Sequence, residues 1–141
     1  GLLYFTDRMF QRAVTLKISD VMRPVNEIAT ASPEDDVKEV LLKMTKFRCG
    51  SAIICDSEGK LAGIFTDGDF RRHVEDDMSV LKKHVKDVMT KNPSFLYKEM
   101  MAVEILKLLE KKKIDDVIVL DKTGKVAGLV DIQDLPGLKL M

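Results

Sequence analysis

The stretch that decides the fold is Gly63-Ile-Phe-Thr-Asp-Gly-Asp-Phe-Arg-Arg72, in which an apolar β-type run gives way to a predicted helix. Thr66 and Asp69 stand three residues apart, so a hydroxyl and a carboxylate meet at the helix N-terminus. Free backbone N–H groups at such an end attract anions, and Arg71 and Arg72 follow. The pattern suits a sugar phosphate or a nucleotide. The same Thr-x-x-Asp spacing is also a capping box, which requires only a helix start.

Composition restricts the partners that the chain can have. Lys plus Arg and Asp plus Glu are both 23 of 141 residues, so the net charge is zero. Neither nucleic acid nor an acidic membrane is therefore an expected partner, and any anion site must be local. No apolar run reaches the roughly 18 residues of a membrane span. Cys49 and Cys55 lack metal-ligand spacing and are interpreted as reduced thiols, in keeping with a cytoplasmic protein.

An internal repeat organises the chain. Ile18-Ser-Asp-Val-Met22 returns as Val85-Lys-Asp-Val-Met89, 67 residues later, and Gly63 returns as Gly128, 65 residues later. Each copy has the pattern of a short strand, a long helix, a hairpin of two strands and a short helix. The pattern predicts an α+β fold of two β-α-β-β-α repeats, residues 18–79 and 80–141, after a linker or N-terminal extension at 1–17. Repeats of this size are too small to bury a secure core alone, so we expect pseudo-twofold packing and a ligand in the cleft between them.

These motifs resemble a tandem pair of CBS domains over residues 18–138. The Gly63–Arg72 stretch, together with Asp87-Val-Met-Thr-Lys-Asn-Pro93 and Ala102-Val-Glu-Ile-Leu106, is similar to the C-terminal CBS pair of bacterial arabinose-5-phosphate isomerases. Catalysis in that family lies in an N-terminal sugar-isomerase (SIS) domain, and nothing in this chain resembles it. The resemblance implies a regulatory part of an isomerase rather than an enzyme, with the SIS domain upstream and a homodimer formed through the CBS pairs.

The resemblance also implies the ligand site. Thr66 and Asp69 would hold the phosphate and ribose of a nucleotide, which agrees with the hydrogen-bonding chemistry of a hydroxyl and a carboxylate. The base or sugar pocket would be lined by the middle strand and its neighbour, at Gly50, Ser51, Ala52, Ile28 and Thr30. No cofactor is expected. The effector would be an adenine nucleotide or CMP-Kdo, a product further along the pathway that the family serves.

The second copy departs from this pattern. Asp131 and Asp134 replace Thr66 and Asp69, and Pro136 and Gly137 stand where the arginine pair is. A weaker second site would consist of Asp131, Asp134, Asp116 and Val117, with Asp115 beside them. Like charges about 4 Å apart cost roughly 1–4 kcal/mol, so we predict asymmetric binding that favours the first site. Helix capping by Asp131 is favoured over a divalent cation, and no metal site is predicted.

Three functions follow from these patterns. The first is a ligand-sensing module that biases an attached isomerase domain. The second is a purely structural dimerisation module that supports the oligomer of the parent enzyme. The third, an enzyme in its own right, is disfavoured because no nucleophile or acid–base set stands out.

Overall fold

The computed structural model of the chain describes residues 7–137, which form five α-helices and eight β-strands. The helices are α1 (Asp7–Ala13), α2 (Ile18–Val21), α3 (Val37–Phe47), α4 (Asp67–Asp76) and α5 (Val103–Lys111). The strands are β1 (Arg23–Pro24), β2 (Thr30–Ala31), β3 (Ser51–Cys55), β4 (Leu61–Thr66), β5 (Thr90–Lys91), β6 (Phe95–Tyr97), β7 (Asp116–Leu120) and β8 (Val126–Asp131). Single-turn to two-turn 3₁₀ helices cover Val25–Glu27, Met78–Lys82, Val85–Asp87 and Ile132–Gly137. The predicted α+β class is confirmed.

The strands form two sheets of four, in the orders β2-β3-β4-β5 and β1-β8-β7-β6. In each sheet the central pair is the predicted hairpin, and the strand before the long helix pairs with it in parallel. In each sheet, one edge strand comes from the other sequence repeat. Strand β5, which follows the second Asp-Val-Met, pairs with β4, and β1, which follows the first, pairs with β8.

This exchange of strands makes the compact units differ from the sequence repeats. The β3–β4 unit consists of residues 25–93 and 124–126. The β7–β8 unit consists, within the described residues, of 7–24, 94–123 and 127–137. Each unit therefore depends on a segment that lies far away in the sequence.

Each unit has a core of aliphatic side chains. In the β7–β8 unit, Ile105 and Leu106 of α5 pack with Val117 and Val119 of β7, and α1 adds Ala13 to the same cluster. The buried residues of the β3–β4 unit include Val37, Val40 and Met44 of α3, at the helical spacing seen in the sequence, and Ile53 and Phe65 of the hairpin. The apolar residues that recur at helical spacing on the two long helices thus face the cores.

Two helices differ from what their sequence patterns indicate. Ser32-Pro33-Glu34-Asp35 has the sequence pattern of a helix start, but α3 begins at Val37. Ser32 and Asp35 form a separate turn in which each backbone N–H bonds back to the other residue at 3.0 Å. The last helix, expected from Asp131, is a 3₁₀ helix at Ile132–Gly137.

The predicted extension at 1–17 contains α1 and contributes Ala13 to a core, while its residues 1–6 lie outside the described part of the chain. Within residues 7–137, no helix combines the length and the apolar character that crossing a membrane requires.

Candidate functional site

The start of α4 is built by a reciprocal pair of hydrogen bonds. Thr66, extended at φ −115° and ψ 164°, is the N-cap residue. Its Oγ1 accepts from the backbone N–H of Asp69 at 3.1 Å, and Asp69 Oδ2 accepts from the backbone N–H of Thr66 at 3.0 Å. The capping box expected from the spacing is therefore confirmed, and it satisfies two backbone donors of the hairpin-to-helix junction.

The Asp69 carboxylate is the most engaged group of this site. Asp69 is only 3% exposed, and besides the Thr66 N–H it accepts from Thr90 Oγ1, which lies 3.2 and 3.3 Å from its two oxygens. Arg72 Nη2 on the next turn of α4 donates to Asp69 Oδ1. These donors compensate a buried negative charge that would otherwise be costly. The arginine is the exposed partner of this pair, with 69% of its side chain accessible to solvent.

Ser51 lies beside this junction and has an unusual environment. Its position at the start of β3 pairs with Thr66 at the end of β4. Ser51 is 1% exposed, and its Oγ atom has no hydrogen-bond partner among the described residues. A buried hydroxyl without a partner is uncommon in native proteins and typically costs about 1–3 kcal/mol. The hydroxyl is thus a donor and acceptor that the fold itself does not use.

The other residues predicted for the pocket lie in β2 and β3 or directly beside these strands in the sequence. Ala52 and Ile28 are buried, and Thr30 on the neighbouring strand β2 is half-buried. The Gly50 carbonyl accepts from the backbone N–H of Asp67 at 3.0 Å, which joins β3 to the first residue of α4. Thr30 pairs with Ile53, so it lies two residues further along the sheet than Ser51. The role of the predicted residues in binding stays a prediction.

The helix N-terminus itself carries mixed charge. Gly68 places no side chain over this helix end. A Cβ at this position would touch Arg72 Nη1 at 3.4 Å and Thr66 Oγ1 at 3.6 Å. The exposed carboxylate of Asp67 opposes an anion at this end. The two exposed arginines, Arg71 and Arg72, offset that charge. An anion here would depend on the backbone N–H groups and on one or both of these guanidinium groups.

Thr90 is a site residue that the sequence argument missed. It belongs to the second repeat, and only the pairing of β5 with β4 brings its hydroxyl to Asp69. The one available signal was its position directly after the second Asp-Val-Met.

The predicted second site has a cation that was also missed. The side chain of Arg23 contacts both carboxylates that replace the Thr66–Asp69 pair. Its Nε and Nη2 atoms lie 2.7 and 2.9 Å from Asp134 Oδ2 and Oδ1, and Nη2 lies 3.8 Å from Asp131 Oδ2. No arginine pair matches Arg71 and Arg72 here, as the sequence indicates, but Arg23 reaches the site from a distant segment that a comparison of local positions in the two repeats does not include.

The remaining second-site residues have ordinary structural positions. Asp131 Oδ1 accepts from the backbone N–H of Gln133 at 2.9 Å, so it does cap the last helical element, although that element is 3₁₀. Asp116 begins β7 half-buried, and Val117 is buried in the core. In residues 7–137, no group of three or more His, Cys, Asp or Glu side chains is arranged to hold a metal ion.

The chain contains two small α+β repeats, and in each a helix begins directly after the hairpin. These features place it in the class of tandem-domain proteins. The family model of the CBS domain matches residues 18–76 and 85–135, and the chain belongs to this family. Arabinose 5-phosphate isomerase KdsD of Francisella tularensis is 35% identical over 129 residues, which is 92% of this chain and 39% of the relative. The chain thus spans about two fifths of that isomerase. The predicted resemblance is confirmed.

Solved structures show the same fold at lower identity. CBSX2 of Arabidopsis thaliana in complex with AMP has a TM-score of 0.73 at 20% identity and covers 86% of this chain and 94% of that one. The CBS domain of a bacterial CNNM/CorC family Mg²⁺ transporter in complex with ATP has a TM-score of 0.74 at 21% identity and covers 91% of this chain and 89% of that one. The predicted tandem CBS fold is therefore confirmed.

Proposed function

We propose that this chain is the ligand-sensing regulatory module of a cytoplasmic sugar-phosphate isomerase and that it binds a nucleotide or nucleotide-sugar beside Ser51, Thr66 and Asp69. The relatives named as arabinose 5-phosphate isomerases support an isomerase as the parent protein. Two proteins of the same fold are complexes with AMP and ATP, which supports a nucleotide as the ligand class. The attached SIS domain would carry out the catalysis.

The observation that carries the proposal is the buried Ser51 hydroxyl without a partner. In the β3–β4 unit it lies opposite Thr66, directly before the start of α4. A fold that leaves a buried hydroxyl unsatisfied loses stability, and a ligand that bonds to it recovers the loss on binding. This gives a ligand site an energetic signature that a plain helix cap lacks.

A nucleotide would use the existing hydrogen-bond donors and acceptors in a defined exchange. Asp69 accepts from Thr90 and Arg72 in this structure. A ribose diol can take the place of Arg72, because the arginine side chain is largely exposed and the two hydroxyls would replace its hydrogen bond to the buried Asp69 carboxylate. The released guanidinium can then bind the phosphate at the N-terminus of α4. In this proposal Asp69 selects the sugar, and Arg72 recognises the phosphate.

The candidate ligands differ in their support. AMP, ADP and ATP follow from the nucleotide complexes of proteins with this fold. CMP-Kdo follows from the isomerase relatives, whose pathway it would report by feedback. All of them present a ribose and at least one phosphate, which are the groups that the site residues suit.

A structural dimerisation module is the second candidate. Leu42 on α3 and Met78 on the 3₁₀ helix Met78–Lys82, which follows α4, are both large apolar side chains. They are nevertheless 62% and 81% exposed. Their elements are neighbours within the β3–β4 unit. A second copy of the chain that covers them would form a homodimer. A module that only dimerises would show no ligand-dependent change in thermal stability.

Ser51→Ala tests the proposed site by thermal unfolding with and without AMP, ATP and CMP-Kdo. We expect the melting temperature without ligand to stay equal or rise, because the variant removes an unsatisfied hydroxyl. We expect the ligand-induced increase, which corresponds to about 2.7 kcal/mol at 100-fold excess over Kd for wild type, to fall. Ser57→Ala, at an exposed hairpin serine, is the matched control and should change neither value.

Two results would count against the proposal. If no compound stabilises the wild type, nucleotide sensing is rejected. If Ser51→Ala keeps the full ligand-induced increase, the site does not lie at this hydroxyl.

A further inference from the structure

Arg23 occupies in the β7–β8 unit the position that Thr90 occupies in the β3–β4 unit. Each residue directly follows an Asp-Val-Met sequence and begins a two-residue strand, β1 or β5. The two strands pair with β8 and β4 in the same register relative to the repeat. Their side chains therefore meet equivalent carboxylates, Asp134 and Asp69, with very different chemistry.

Arg23 forms a bidentate ion pair with Asp134. Nε and Nη2 bond to the two oxygens of Asp134 at 2.7 and 2.9 Å, and the same Nη2 lies 3.8 Å from Asp131. Such bidentate, charge-assisted pairs are stronger and more directional than contacts of a neutral hydroxyl. Thr90 offers Asp69 only one neutral donor, at 3.2 Å.

The backbone holds Arg23 in place. The residue pairs with Leu129 in the sheet, and 29% of its side chain is exposed. Arg72, the arginine on Asp69, stands on a helix surface with 69% of its side chain exposed. A ligand can therefore displace Arg72 at lower cost than Arg23, because Arg72 makes one contact to Asp69 whereas Arg23 binds Asp134 through two atoms.

We propose that Arg23 occupies the carboxylate site of the second repeat and so prevents a nucleotide from binding there. The nucleotide then binds only to the site of the first repeat. The guanidinium bonds to both oxygens of Asp134, so a ribose diol would have to displace Arg23 to form the same pair of hydrogen bonds. This inference rests on the proposed function, since it assigns which of the two equivalent sites senses the nucleotide. It adds a second cause of asymmetry to the predicted repulsion among carboxylates, because Arg23 already binds the carboxylate that corresponds to Asp69.

An exchange of the two residues tests the proposal by isothermal titration with AMP. Wild type is expected to bind one AMP per chain. Arg23→Thr, which copies the first site, is expected to bind two, and adding Asp134→Asn should return it to one. Thr90→Arg should weaken binding at the first site at least about tenfold, since the new guanidinium would engage Asp69. Arg12→Thr, at an exposed arginine on α1, is the control and should bind like wild type.

The outcomes separate this inference from the proposed function. If wild type binds one AMP and a folded Arg23→Thr still binds one, the inference fails and the proposed function stands. If wild type binds none while Arg23→Thr gains a site that Asp134→Asn removes, the proposed function is rejected and with it the preference for the first site, and only the blocking of the second site by Arg23 is supported. Two sites in wild type, or none in either protein, overturn it. Arg23→Gln, which keeps side-chain length without charge, serves if Arg23→Thr does not fold.

Discussion

A methyl group on Gly63 would lie 2.8 Å from the carbonyl oxygen of Thr90, so strand β5 approaches β4 at a distance that only glycine permits. The same methyl group would lie 2.7 Å from Met89 Sδ. Gly128 has the equivalent environment in the second repeat, with Met22 Sδ at 2.8 Å from the added carbon and the Arg23 carbonyl closer still. The repeated glycine thus makes room for the strand that the other repeat contributes.

Gly63→Ala should therefore destabilise the β3–β4 unit by about 1–3 kcal/mol, the usual cost of overpacking against backbone. The measurement is the free energy of unfolding in urea. Gly50→Ala is the matched control, because its added carbon would only touch Asp67 Oδ2 at an ordinary 3.6 Å. Equal stability of the two variants would show that β5 yields easily and that the close approach does not hold the sheet together.

The sequence predicted the elements whose causes are local. The hairpins follow from alternating apolar runs around turn glycines, and Gly59 and Gly124 do adopt positive φ, at 82° and 89°. The capping box at Thr66 and Asp69 follows from their spacing. These features depend on contacts within a few residues, and such contacts can be inferred from residue order.

The parts that were missed depend on pairings between distant segments. Nothing local in Thr-Lys at 90–91 or Arg-Pro at 23–24 indicates a strand, since each is only two residues long. The partners of Asp69 and Asp134 come from these strands, so both sites were incomplete without the sheet order. The unsatisfied hydroxyl of Ser51 was equally beyond the sequence, because burial and hydrogen bonding of one atom depend on the whole unit.

Arg72→Ala should reduce the affinity for AMP by about 10- to 100-fold and leave the affinity for adenosine unchanged or higher. The loss corresponds to one charge-assisted hydrogen bond to phosphate, about 1.5–3 kcal/mol. Adenosine has no phosphate, and it gains an Asp69 carboxylate that is no longer engaged by the arginine. Calorimetric titration of both compounds provides the two affinities.

Arg71→Ala is the comparison for this prediction. Both arginines are exposed and were predicted to bind the ligand, but the contact to Asp69 is made by Arg72. We therefore expect the smaller loss for Arg71→Ala. If Arg72→Ala lowered the affinities for AMP and for adenosine equally, this arginine would stabilise the helix rather than recognise phosphate.

Asp77 gives the fold a defined response to acid at the end of α4. Its Oδ1 accepts from the hydroxyl and the backbone N–H of Ser79 at 2.7 and 2.9 Å, and Lys83 Nζ lies 3.1 Å from Oδ2. These hydrogen bonds, first that of the Ser79 hydroxyl, lower the pKa of Asp77 from 3.8 to about 2. A carboxyl group with a lowered pKa in the folded state stabilises the fold fully above pH 3.8, and this contribution is lost as the pH falls through about 2.

Asp77→Asn should therefore have a free energy of unfolding that depends less on pH across this window than that of wild type. Urea unfolding at each pH measures this free energy. Asp76→Asn, one residue earlier on α4, is the control, and a pH dependence of Asp77→Asn parallel to that of wild type would contradict the assignment.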